Sequence, residues 1–108
     1  MLLRIKRYEV HVRYGGRAAL EAAQQLHPQI ILLDLGMPDL DGYATARQLR
    51  QQPGGETLGL IALSGYGQPE DKQRTQAAGF DVHLTKPVDL NALLEQLTLL
   101  LKAKWGSV

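Results

Sequence analysis

Hydrophobic and polar positions alternate between two kinds of segment along this chain. Glu9 to Tyr14 (EVHVRY) places Val10, Val12 and Tyr14 on one side and Glu9, His11 and Arg13 on the other. That period of two predicts a half-buried strand, at an edge of its sheet. Gly15-Gly16 breaks it. From Arg17 to Leu26 the apolar positions are Ala19, Leu20, Ala22, Ala23 and Leu26, the stripe of an amphipathic helix, which His27-Pro28 ends. Ile30-Ile31-Leu32-Leu33 is unbroken, as in a parallel strand buried on both faces, and it closes on Asp34.

A turn-rich stretch, Gly36-Met37-Pro38-Asp39-Leu40-Asp41-Gly42, leads to a helix over roughly 42–52, with Asp41 as its N-cap. Leu58 to Leu63 is a second apolar run, and Ser64-Gly65-Tyr66-Gly67 follows it. Residues 69–78 form a short polar helix stopped by Gly79. Asp81 to Leu84 is a short strand before Thr85-Lys86-Pro87. Asp89 caps a last helix that carries Leu90, Leu93, Leu94, Leu97, Leu100 and Leu101. Residues 1–8 (MLLRIKRY) suit the end of a helix or the start of a strand. The alternation of strand and helix argues for a parallel sheet covered by helices on both faces.

Composition narrows the class. A chain of 108 residues with 44% hydrophobic and 21% charged positions fits one soluble domain, 1–108, with no output domain in these residues. There is no cysteine, which excludes disulfides and thiolate chemistry. No apolar run is long enough to span a membrane and no signal-peptide pattern is present, so a cytoplasmic protein is expected. The net charge of +1 does not point to nucleic acid. Arg4, Lys6, Arg7, Arg13 and Arg17 cluster near the start; such a cluster can attract phosphate, but a solvated face around a helix-to-strand junction accounts for them better.

Three strands end in chemically useful groups: Asp34, Ser64 and Lys86. In a parallel sheet the carboxyl ends share one edge, and the crevice beyond them is where ligands bind. A carboxylate there serves as nucleophile, metal ligand or turn former. As a nucleophile it would form an acyl phosphate, with the lysine balancing phosphoryl charge and the serine hydroxyl bonding an oxygen.

The loop Asp34-x-x-Met37-Pro38-x-x-Asp41-Gly42, with Ser64-Gly65 and Lys86-Pro87 at their spacings, resembles the receiver domain of two-component response regulators. The resemblance runs from about residue 9 onward. It implies an α/β, flavodoxin-like (CheY-like) fold, with the strand order 2-1-3-4-5 of that class. It implies Asp34 as phosphoacceptor, a histidine kinase or phosphotransfer protein as donor, and Mg²⁺ held by Asp34 and the carbonyl of Gly36. Ser64 would be the switch hydroxyl, Lys86 the phosphate-sensing cation, and Lys86-Pro87 a cis bond. The switch aromatic of the family is His83 here.

The resemblance also exposes a gap. The family's first strand, with its acidic pair, and most of its first helix have no counterpart, and MLLRIKRYEV looks like the tail of that helix running into the second strand. Mg²⁺ favours six oxygen ligands, so weakened metal binding is expected. Three arrangements are open without the central strand. Strands 9–14 and 29–34 pair directly, residues 1–8 form a replacement strand, or two copies associate through the exposed sheet region, the arrangement favoured by the sequence. A phosphorylation-independent interaction module is the alternative function. A hydrolase would need a second catalytic group, and an FMN site would want cations where this loop is acidic.

Overall fold

The computed structural model describes residues 2–5, 8–35, 41–65 and 72–106, with the backbone alone for residues 2–5 and 72. The elements are β1 (Leu2–Ile5), β2 (Tyr8–Arg13), α1 (Gly16–Leu26), β3 (Ile30–Asp34), α2 (Gly42–Gln51), β4 (Gly59–Ser64), α3 (Lys72–Ala78), β5 (Val82–Thr85) and α4 (Leu90–Trp105). They build one sheet in the order β1-β2-β3-β4-β5. β2 to β5 are parallel, and β1 runs antiparallel to β2.

Side-chain alternation divides the core in two. Val10, Val12, Ile30, Leu32, Ile61 and Leu63 point to one face and pack on Leu93, Leu97, Leu100 and Leu101 of α4. Ile31, Leu33, Leu60 and Ala62 point to the other and meet Ala19 of α1, Ala46 and Leu49 of α2, and Ala78 and Phe80. The continuous apolar runs of β3 and β4 follow directly, since every residue in both strands is buried.

The amino-terminal region departs from the helix-tail expectation. Residues 2–5 are a strand, and it lies on the outer side of β2 rather than between β2 and β3. β2 pairs directly with β3, so the 2-1-3-4-5 order is replaced by a plain sequential one. Register explains why this works. Val10 sits opposite Ile30 and Val12 opposite Leu32, so the apolar face stays continuous without an intervening strand.

β2 is therefore interior, not an edge. Its polar side is partly enclosed. His11 is buried, and its Nε2 lies 3.1 Å from Glu9 Oε1 while its Nδ1 lies 3.2 Å from Arg13 Nη2. A carboxylate only accepts and a guanidinium only donates, so a neutral ring here carries its proton on Nε2.

Helix ends follow the sequence closely. α1 stops at His27, which takes a left-handed conformation with φ 48°. Asp41 caps α2 by accepting from the Tyr43 amide at 3.0 Å. Asp89 occupies the N-cap position of α4 without a side-chain bond, which corrects its expected role. Its carbonyl accepts from Leu93 N at 2.9 Å. The expected start of the third helix, 69–71, lies outside the described residues.

Arg50, in the last turn of α2, ties three segments together. Its guanidinium donates to the carbonyls of Gly55 (2.9 Å), Leu58 and Gly79 (2.6 Å), and to Asp81 Oδ2 at 3.0 Å. Asp81 also accepts from Leu60 N at 2.9 Å and faces Lys104 at 3.4 Å. Arg50→Lys is expected to cost about 2 kcal/mol in urea unfolding, because an ammonium cannot reproduce the planar fork. An unchanged midpoint would show that these bonds are replaced by water at no cost.

Candidate functional site

The carboxyl edge of the sheet gathers Asp34, Ser64 and Lys86 as the sequence spacing requires. Asp34 ends β3 and is only 4% exposed. The Leu35 amide donates to the Leu63 carbonyl at 2.8 Å, which carries the β3–β4 ladder past the carboxylate. Gly42 opens α2 close to this point. A Cβ there would crowd the tip of the Leu35 side chain, which follows Asp34.

Lys86 Nζ donates to Asp34 Oδ2, an ion pair across strands separated by β4. The Lys86 backbone is fixed as well. Its amide donates to the Ser64 carbonyl at 2.9 Å, and the Lys86-Pro87 bond is cis, as the resemblance implied. The Lys86 side chain remains 41% exposed while that of Asp34 is 2% exposed, so the ammonium bridges solvent and the buried carboxylate.

Ser64 ends β4 and is 3% exposed. Its Oγ lies 2.9 Å from His83 Nε2. His83 comes from the middle of β5, where Ala62 is its register partner, so the ring and the Ser64 side chain share one face of the sheet. His83 Nδ1 is buried and has no hydrogen-bond partner among the described residues. The ring also borders a cleft of about 290 Å³ with Thr75, Gln76, Phe80, Asp81 and Val82.

The magnesium expectation fares differently. Gly36 and Asp39 lie outside the described residues, and Asp41 is spent on capping α2. Among the described residues no group of three or more His, Cys, Asp or Glu converges. One carboxylate that is already matched to a lysine is a poor donor set for a six-coordinate ion. The described residues by themselves do not make up a Mg²⁺ site, and Lys86 is one partner of the Asp34 carboxylate.

The sequence reading missed the Arg50–Asp81–Lys104 network and the enclosed Glu9–His11–Arg13 row. The second carried a signal, three polar residues at period two on one face. The first carried none, because its paired residues are 31 and 23 positions apart in sequence.

Comparisons with known proteins agree with this architecture. A family model described as the response regulator receiver domain matches residues 1–98. The chain is 39% identical over 80 residues to an uncharacterized 14.6 kDa protein in the sodA1 3' region of Leptolyngbya boryana, covering 74% of this chain and 61% of that protein. It is 33% identical to the DNA-binding dual master transcriptional regulator RpaA of Synechocystis, covering 88% of this chain and 39% of RpaA. It is 36% identical to the sensor histidine kinase RcsC of Escherichia coli, covering 85% of this chain and 10% of RcsC. The chain thus spans less than two thirds of each of these relatives, from 61% of the first to 10% of the last. Among solved structures, the signal receiver domain of a histidine kinase from Syntrophus aciditrophicus superposes with a TM-score of 0.72 at 34% identity, over 91% of this chain and 74% of that one. The chemotaxis response regulator CheY4 of Vibrio cholerae gives 0.69 at 30% identity, over 79% and 71%.

Proposed function

As the chain belongs to the response regulator receiver domain family, we propose that Asp34 is its phosphoacceptor and that Lys86 supplies the neutralising charge. The observation that carries this reading is the buried Asp34 carboxylate held by Lys86 at the carboxyl edge of the sheet. In the transfer, an Asp34 carboxylate oxygen bonds to phosphorus as the phosphorus–nitrogen bond of a phosphohistidine breaks. The leaving imidazole keeps the electron pair. With a small acyl phosphate the bond broken is phosphorus–oxygen, and a carboxylate leaves. Loss of the group again by hydrolysis at Asp34 is the most this chain would catalyse. The donor is a histidine kinase or phosphotransfer protein, and the output is a change in protein contacts. Self-association of two copies remains part of this proposal. No helix among the described residues is long and apolar enough to cross a membrane.

The second reading is a receiver-like interaction module that works without phosphorylation. The donor set that does not fit Mg²⁺ favours it.

Intact-mass detection of phosphoryl transfer from an acyl phosphate, with and without Mg²⁺, separates the two. The expected result is slow formation of one phosphoryl adduct that depends little on Mg²⁺ and disappears in Asp34→Asn. No adduct on folded protein would remove the phosphoacceptor reading and leave the interaction module. A steep Mg²⁺ dependence would show that carboxylates outside the described residues complete a metal site.

A further inference from the structure

We propose that a cleft at the amino edge of the sheet is a second binding site, for an uncharged planar heterocycle that carries a ring carbonyl. Gln29 would donate to the carbonyl, and Trp105 would pack against the ring. The proposal stands without the phosphoacceptor reading, because the cleft lies at the other end of the strands. Gln29 precedes β3 and Asp34 ends it, with a rise of about 3.3 Å per residue between them.

The cleft has a volume of about 250 Å³, which suits a one- or two-ring molecule. Three segments meet around it. The α1–β3 loop brings Pro28 and Gln29, the α2–β4 loop brings Gln52 and Pro53, and the end of α4 brings Trp105. Among the described residues no Lys, Arg, Asp or Glu lines it, and its one titratable side chain is that of the exposed His27. A charged ligand would give up hydration on entry and meet no opposite charge. The prolines and the indole supply apolar wall, and the two prolines hold it in a fixed shape.

Gln29 gives the cleft its polar specificity. Its side-chain Oε1 accepts from Glu9 N at 2.7 Å. Its backbone amide donates to the Glu9 carbonyl at 3.1 Å, and its carbonyl accepts from Gly59 N at 2.8 Å. A backbone N–H only donates, so the atom that meets Glu9 N is the amide oxygen, and the amide is fixed in orientation. Nε2 keeps two protons and has no acceptor among the described residues. Tying the start of β3 to β2 and β4 accounts for the oxygen and the backbone, and it leaves the NH₂ group unused.

Trp105 is held in a comparable way. It is half-buried, and its ring lies 5.7 Å from that of Tyr8 with a tilt of 34°. Donor and ring are therefore ordered before a ligand arrives, so binding costs little side-chain freedom. A flat ring is favoured over a saturated one because it can stack or pack edge-on against the indole. Water by itself would satisfy Gln29, but it would leave the indole and proline surface wet.

Uracil is the probe, a flat and uncharged ring with two carbonyls. In ¹H–¹⁵N spectra it should give saturable shifts of the Gln29 side-chain NH₂ and the indole N–H, with a Kd on the order of 1 mM for so small a molecule. The indole signal identifies itself, since Trp105 is the sole tryptophan. Gln29→Glu keeps an oxygen for Glu9 N and removes both donors, so affinity should fall about tenfold. Trp105→Leu should lower it about fivefold, whereas Trp105→Phe, which keeps a ring, should lower it by less than about twofold. Cyclohexanone, a carbonyl without a flat ring, and benzoate, a flat ring with a charge, should each bind about tenfold more weakly than uracil or worse. Unchanged affinity in folded Gln29→Glu, or cyclohexanone or benzoate that matches uracil, would overturn the proposal. So would the absence of saturable shifts at about 10 mM uracil. Shifts produced by a polyproline peptide and not by uracil would make the cleft a polypeptide groove, and the proposal would fall. The ligand series uses the wild-type protein, so it decides the matter even where a variant does not fold.

Discussion

Lys86→Met is expected to slow phosphoryl uptake at Asp34, the proposed phosphoacceptor, by about 100-fold, the usual size for loss of a positioned charge at a developing anion. The substitution keeps the length and apolar stem of the lysine and removes the ammonium that meets Asp34 Oδ2. The effect is large because the described residues converge no carboxylate cluster that would bring a metal ion to share the task. A time course of adduct mass under excess acyl phosphate measures it. Slowing of less than about threefold would show that charge from elsewhere dominates, and the role of Lys86 would fall. The variant also has a stability signature. Asp34 keeps a nearly buried carboxylate without its lysine, which costs about 1–3 kcal/mol, below the usual figure for a broken buried pair because Lys86 is 41% exposed. Asp34→Asn combined with Lys86→Met should recover most of that loss, since both charges of the pair are then gone. Recovery in the double variant separates the electrostatic effect from lost packing.

Leu97→Ala is expected to lower unfolding free energy by about 3–5 kcal/mol. Leu97 is 0% exposed and lies in the middle of α4, between Leu93 and Leu101. Among the described elements α4 is the helix that covers the Val10, Val12, Ile30, Leu32, Ile61 and Leu63 face. The other face has contributions from α1 and α2 together with Ala78 and Phe80, so a cavity there can be relieved by several neighbours. Under Leu97 the floor is a sheet with buried neighbours that cannot close in. Domain stabilities are about 5–15 kcal/mol, so this single truncation removes about a fifth or more of the total. Leu99→Ala, at a position 54% exposed on the same helix, should change stability by less than about 0.5 kcal/mol. Urea unfolding of both variants checks the contrast. Equal midpoints would mean that α4 is not the keystone of that face.

Much of the carboxyl edge was legible in sequence. An apolar run ending in Asp34, another ending in Ser64, and Lys86 before a proline place three groups on one edge as soon as the strands are parallel. Parallel strands follow from the intervening helices. His83 was legible as a position, since three residues back from Lys86 along β5 reaches the face that Ser64 occupies. Its hydrogen bond was not, because ring orientation depends on what surrounds β5. The caps show the same division. Asp41 bonds the amide two residues on, as local sequence rules require. Asp89 does not, although its sequence setting looked equally suitable.

Sequence alone determined the alternating elements, the buried faces of β3 and β4, and the three groups at the strand ends, because hydrophobic period and strand direction are local or near-local properties. Tertiary structure decided the rest. Residues 2–5 suit helix or strand, and only the free edge of β2 made them a strand. Direct pairing of β2 with β3 depends on the match of Val10 with Ile30 and Val12 with Leu32, a relation between segments that neither contains by itself. The union of Arg50 with Gly79 and Asp81, and of Lys86 with Asp34 52 positions away, arises in the same way. A long side chain can reach many partners, and which one it meets is fixed when the sheet and its helices close around it.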